Sequence, residues 1–209
     1  VRAETYSPGP NCEAQMFWEV IVAEEGNPFA RLLLFGLDST ATDGIDSQLG
    51  ESELPPFPPA GVFEARLFLP DNNFSGSLGS YCDFRYAVLP YTGQKEWRLA
   101  YQTIYGNTIN ISWDFPSYMA GVLKDIINGT FINVPMIDSG SYTVQDPYTF
   151  DRLRMLIDFN VTSPVELVSF SANVSNNSVE LSWVTATELN NSGFEIERSP
   201  SPTPSLKEG

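Results

Sequence analysis

Apolar and polar residues alternate along this chain with a period of two, not the 3.6 of a helix. In "TINISWDF", Ile109, Ile111 and Trp113 fall on one side, and Asn110, Ser112 and Asp114 on the other. Such a segment suits a strand with one face in a core and the other in water. The pattern recurs over Gln15–Val22, Ala30–Gly36, Gly61–Leu69, Phe84–Leu89, Glu96–Tyr105 and Thr108–Asp114. It continues over Val122–Ile127, Thr130–Val134, Ser141–Val144 and Leu153–Phe159. Pro, Gly and Asn separate these runs at intervals of roughly 8–12 residues, the spacing of sandwich or jelly-roll strands. The expected fold is all-β, with a β-sandwich or jelly-roll-like domain over residues 1–162.

The sharpest local signal is "VLKDIINGTFINV". Asn128-Gly129 lies between two β-prone runs, and Asn-Gly favours a two-residue type I′ hairpin because both central residues need positive φ. A helix over "AGVLKDII" is the competing reading. It is short, poorly capped and ends in β-branched residues, so strands are expected.

Composition removes several function classes. The chain has no histidine, which excludes Ser–His and Cys–His nucleophile pairs and His-ligated zinc. Lys and Arg total 11 against 26 Asp and Glu, a net charge of −15. That charge repels nucleic-acid phosphates and anionic lipid, so neither is expected as a partner. No run approaches the roughly 20 apolar residues of a membrane helix. The start at Val1 is read as the trace of a removed export signal. In an oxidising compartment Cys12 and Cys82 would most simply pair, closing a loop that adds roughly 4 kcal/mol on the chain-entropy model; two unrelated buried thiols are the alternative. Seven N-x-S/T sequons, beginning at Asn73, Asn110, Asn128, Asn160, Asn173, Asn176 and Asn190, mark an Asn-, Ser- and Thr-rich surface.

The segment "FGLDSTATDGIDSQLGESELPPFPP" crowds carboxylates, glycines and prolines together. Aligned on Gly44, the EF-hand pattern fails, because Ser39 and Ala41 take ligand positions and Gly50 stands where the bidentate Glu belongs. Calcium could still use Asp38, Asp43, Asp46, Glu51 and Glu53 as an irregular oxygen cage. Against this, Asp43-Gly44 is an ordinary turn pair and Leu54-Pro55-Pro56 enforces extended geometry. Asp38-Ser39-Thr40 also fits a short bacterial O-glycosylation pattern, with Ser39 or Thr40 as the acceptor.

Other chemistries find less footing. "MIDSG" and "LDST" resemble aspartic-protease loops, yet the second lacks its glycine, and Asp138-Ser139-Gly140 suits a hairpin turn. No spacing singles out a glycosidase carboxylate pair. Trp18, Trp97, Trp113 or tyrosines could form a sugar-stacking platform, although the period-two placement of these aromatics fits core and sheet faces.

After Pro164 the alternation resumes. Val168, Phe170, Ala172 and Val174 share a face, as do Val179, Leu181 and Trp183, and then Phe194 and Ile196. "PVELVSFSANVSNNSVELSWVTATELNNSGFEIERS", from Pro164 to Ser199, resembles the opening of a fibronectin-type-III-like module. Such modules commonly precede the sorting domain of proteins exported by the bacterial type IX secretion system. The block from Phe35 to Leu67 is similar to a segment found ahead of these modules. The resemblance implies an exported extracellular or cell-surface β-protein, with a partial immunoglobulin/fibronectin-III-like module over residues 163–199 and a Pro-rich tail over 200–209.

A type-III-like sandwich needs about seven strands, and three are expected here before the tail. Val168, Phe170, Leu181, Trp183, Phe194 and Ile196 then form an apolar face needing cover, since each large side chain loses roughly 1.5–3 kcal/mol if left wet. The cover could be the first domain, strands from another subunit, or further chain if this is part of a longer protein. The expected function is a noncatalytic structural or cell-surface assembly protein. It would self-associate into a homo-oligomer or polymer, as an extracellular filament does, through strand complementation. The alternative is a carbohydrate-binding or adhesion module with a glycan partner. No cofactor is expected beyond calcium.

Overall fold

The computed structural model describes residues 4–6, 12–74, 78–106, 108–161, 165–175 and 178–188, with 194 and 196. The expected Pro-rich tail lies outside the described residues. The chain divides into two units, Val1–Ser163 and Pro164–Gly209.

In the first unit the strands are β1 (Glu4–Tyr6), β2 (Met16–Glu24), β3 (Phe29–Asp38), β4 (Glu64–Phe68), β5 (Gly79–Ser80), β6 (Cys82–Tyr86) and β7 (Tyr91–Gln102). They continue with β8 (Ile109–Asp114), β9 (Met119–Asp125), β10 (Asn133–Met136), β11 (Ser139–Val144) and β12 (Arg152–Val161). A short helix, α1 (Asp71–Phe74), follows β4. One sheet runs β1-β3-β2-β8-β11, with β6 also paired to β3, and the other runs β10-β9-β12-β7-β4-β5.

The two sheets enclose one core. Val20, Leu33, Phe35 and Leu37 of the first sheet and Leu67, Trp97, Leu99, Leu123, Met155 and Ile157 of the second are fully buried. Aromatic rings tie the layers together: Phe35 meets Trp97 edge-on at 5.0 Å, and Trp18 lies 5.2 Å from Phe159. Each such pair adds about 0.5–1.5 kcal/mol beyond the area it buries. Trp18, Trp97 and Trp113 are therefore core residues, all buried, and supply no sugar-stacking platform. Among the described residues no helix is long and apolar enough to cross a membrane.

The strands match the alternation closely, and the departures have physical reasons. β9 and β10 do form an antiparallel pair, but Lys124 pairs with Asn133, so the connection is longer than a two-residue turn. Of Asn128 and Gly129 only the glycine has positive φ, at 73°, which rules out a type I′ turn. Asp125 dictates the alternative. Its fully buried carboxylate accepts the N–H groups of Ile127, Asn128 and Gly129 on Oδ1 and those of Phe131 and Ile132 on Oδ2, all at 2.9–3.0 Å. Likewise Asp138, with φ 47°, sits in the link from β10 to β11 and carries the chain from one sheet to the other. Asp138-Ser139-Gly140 is thus a corner between layers and not a hairpin.

The second unit contains a ribbon of β13 (Val165–Ser175) and β14 (Ser178–Glu188), paired antiparallel. Register shifts flank Leu167, and Val168 has no cross-strand partner in the ladder. Phe194 and Ile196 are not in a strand; most of their neighbours lie outside the described residues.

Burial alone would raise the Asp125 carboxyl, but its ring of backbone N–H donors outweighs this and holds it well below the usual carboxylate range. Its contribution to stability is therefore present above the unfolded carboxyl pKa, near ~4, and fades as pH falls below it. Asp125→Ala should lower the unfolding free energy by about 3 kcal/mol or more, since several donors lose their acceptor together. Urea titrations of both proteins at neutral and acid pH check this, with the deficit of the variant shrinking toward low pH.

Candidate functional site

The long connection from β3 to β4, residues 39–63, is a strap over the side of the sandwich. Asp38 begins it: Oδ2 accepts Gln15 N–H at 3.0 Å, and Oδ1 accepts both the N–H and the hydroxyl of Thr40 at 2.7 Å. Asp46 accepts the N–H of Thr42 at 2.6 Å and its hydroxyl at 2.9 Å. Glu51 reaches both ways, taking Asp46 N–H at 2.8 Å and Phe84 N–H of β6 at 2.7 Å. Asp43 and Glu53 point into solvent and are exposed. These five residues do not form the expected calcium cage: among the described residues no group of three or more His, Cys, Asp or Glu could hold a metal. The oxygens of Asp38, Asp46 and Glu51 are engaged by backbone N–H groups of the strap, of Gln15 and of Phe84. Ser39 is half-buried and Thr40 exposed, with the Thr40 hydroxyl donating to Asp38.

Cysteine chemistry fastens the same region. Cys12 and Cys82 are joined by a disulfide, their Cα atoms 6.3 Å apart. It sits in a small apolar cluster with Leu34, Ala41, Leu49 and Phe84. This is a second core, lying outside β3 and β6 and beneath the first half of the strap.

Between these layers lies a group of buried acids. Burial lifts the Glu51 carboxyl to about 8, and the nearby Asp83 and Asp46 charges add to the rise despite the N–H bonds from Asp46 and Phe84. Burial likewise lifts Asp83 to about 7, against the pull of its ion pair with Arg85. Arg85 also donates to the Glu96 carbonyl at 3.1 Å, and Trp97 donates to the Asp83 carbonyl at 3.0 Å. The group has the character of a structural clamp between β6, β7 and the strap.

The second half of the strap covers the outer face of β4. Arg66 donates to the Pro55 carbonyl at 2.6 Å and stacks on Phe57 at 4.2 Å, while Phe57 stacks on Phe68. Gln102 donates to the carbonyls of Pro58, Pro59 and Val62. Beside this strap opens a cleft of about 380 Å³ lined by Phe57, Gln102, Thr103, Tyr148, Asp151 and Arg152. Next to it, Lys124 pairs across the ladder with Arg154, and Arg154 with Arg98. Arg152 is on the same face, one step along β12. The sequence reading missed both the cleft and this row. "DRLRML" holds the one visible hint, two arginines at a spacing of two; the registers that bring Lys124 and Arg98 beside them are not written locally.

In the ribbon, Phe170 pairs with Trp183 and Ala172 with Leu181. Val168, Phe170, Phe194 and Ile196 are exposed, and Leu181 and Trp183 are partly covered. Trp183 meets Phe194 edge-on at 5.3 Å. Fold and site together define an all-β sandwich protein with a strap, a lateral cleft and an apolar ribbon. No protein-family model, curated protein or solved structure matches the chain.

Glu51 gives this region a pH signature. Its folded pKa lies above the unfolded value, so the folded state holds the proton more tightly and Glu51 favours folding fully below about pH 4.5. That contribution is lost as pH rises toward about 8. Melting temperatures from pH 5 to pH 8 should therefore fall with pH, and Glu51→Gln should flatten the slope. Equal slopes in the two proteins would contradict the buried, proton-holding Glu51.

Proposed function

We propose that this chain is a noncatalytic, exported structural subunit of an extracellular or cell-surface assembly, in which a second copy of the chain completes the ribbon by strand addition. The single observation that carries the reading is the apolar ribbon. Phe170 and Val179 are each 59% exposed and Val174 is 82% exposed, on two strands that, among the described residues, pair only with each other. Two strands alone are marginal in water, and unpaired strand edges accept further strands. Strand exchange between copies is heterologous when the donor and acceptor edges differ, and such contacts propagate into fibres instead of closing.

Other features support export. The disulfide belongs to an oxidising compartment, and the resemblance of residues 164–199 to modules of type IX-exported surface proteins points the same way. The strongly acidic composition suits a protein that stays dispersed outside cells.

Light scattering on the full chain across a concentration series tests the assembly. Species heavier than one chain should grow with concentration, and Phe170→Asp with Val179→Asp should abolish them while the circular dichroism of the sandwich is retained. A chain that stays monomeric throughout, or a double variant that assembles as before, would overturn the reading.

A further inference from the structure

The outer face of the second sheet gathers cations that this acidic chain otherwise has few of. Of the 11 Lys and Arg residues, Arg66, Arg98, Lys124, Arg152 and Arg154 share this face, as the ladder registers of β4, β7, β9 and β12 require. Arg66 is buried under the strap and faces Glu64, and Arg98 is paired with Glu96 at 2.7 Å. Lys124, Arg152 and Arg154 have no carboxylate partner among the described residues. Arg154 in addition carries a buried Nε with no hydrogen bond. Like charges directly opposite on a ladder destabilise a sheet, so an unpaired row of this kind is stabilised by an anion.

The loop held by Asp125 shapes the row. A Cβ at Gly129 would stand 3.0 Å from Lys124 Cδ and 3.4 Å from Arg154 Nη2, so both cationic side chains lie against a surface that glycine keeps low. At the other end Arg152 stacks on Phe68 at 4.6 Å and lines the cleft of about 380 Å³. That cleft offers an aromatic rim, Phe57 and the 74%-exposed Tyr148, beside the Thr103 hydroxyl and the Asp151 carboxylate. The exposed Tyr148 ring, with hydroxyl and carboxylate acceptors beside it, suits a sugar ring, whose hydroxyls donate and whose C–H face stacks, while Phe57, already packed against Arg66 and Phe68, forms the wall.

We propose that the Phe57–Tyr148 cleft and the adjoining Arg152–Arg154–Lys124 row form a binding site for a short acidic oligosaccharide, with pyranose rings in the cleft and carboxylates on the row. The charge pattern selects this ligand over a longer polyanion. A few uronate groups match the few unpaired cations, whereas a long polyanion would run past the row onto the surface of a chain of net charge −15, which repels it. The site lies within the first unit and does not depend on assembly through the ribbon.

Calorimetric titration of the full chain with a galacturonate oligosaccharide, and with a neutral malto-oligosaccharide of equal length, tests it. The acidic sugar should bind, more weakly as salt rises, and the neutral sugar should bind far less. Lys124→Ser with Arg154→Ser should weaken binding at least about tenfold, equivalent to about 1.4 kcal/mol. Tyr148→Ala should weaken it without changing the salt dependence. Melting curves of the variants establish that they remain folded. No binding of the acidic sugar, equal binding of the neutral one, variants that bind unchanged, or tighter binding of single-stranded DNA would each overturn the proposal.

Discussion

A loop that leaves the ladder must still satisfy its backbone N–H groups, and a buried loop cannot rely on water for this. In this protein buried carboxylates solve the problem. Asp125 takes five N–H groups of one connection, while Asp38, Asp46 and Glu51 hold the first half of the strap. Among the described residues, the β9–β10 connection and the first half of the strap are organised around those acceptors. The strap is held down where Glu51 joins Asp46 to Phe84 of β6, and its Phe57, fixed against Arg66 and Phe68, walls the cleft.

The two kinds of carboxylate differ in charge state. Asp125 is surrounded by donors alone and stays ionised. Glu51 shares its surroundings with Asp83 and Asp46 and holds its proton into the neutral range. The first holds its loop most firmly at neutral pH, and the second holds the strap most firmly in mild acid. The same residue type thus serves one structural task through opposite electrostatic solutions, decided by which neighbours share the burial.

Much of the sandwich was legible in the sequence because alternation is a local signal. Ile109, Ile111 and Trp113 announce their face without reference to any other strand. The inward residues of β12 do so as well. The Asn128-Gly129 connection was misread because the deciding group, the Asp125 side chain, acts on backbone atoms up to seven residues further on. Turn propensity is read from the two central residues and takes no account of such an acceptor. The acid-rich strap suggested calcium for a similar reason: carboxylates that bind a cation and carboxylates that bind N–H groups have the same composition. The cation row was invisible because Lys124, Arg154 and Arg98 come from three strands, and only the register of β9, β12 and β7 makes them neighbours.

The central claim is that buried acids hold the irregular segments by accepting backbone N–H bonds, each in the charge state its neighbours impose. Carboxyl-carbon NMR titration of the folded protein tests it most directly. The account expects the Asp125 resonance to stay in its ionised position after exposed carboxylates have protonated, and the Glu51 resonance to move with a midpoint near about 8. Both resonances titrating together in the ordinary range near ~4 would contradict it.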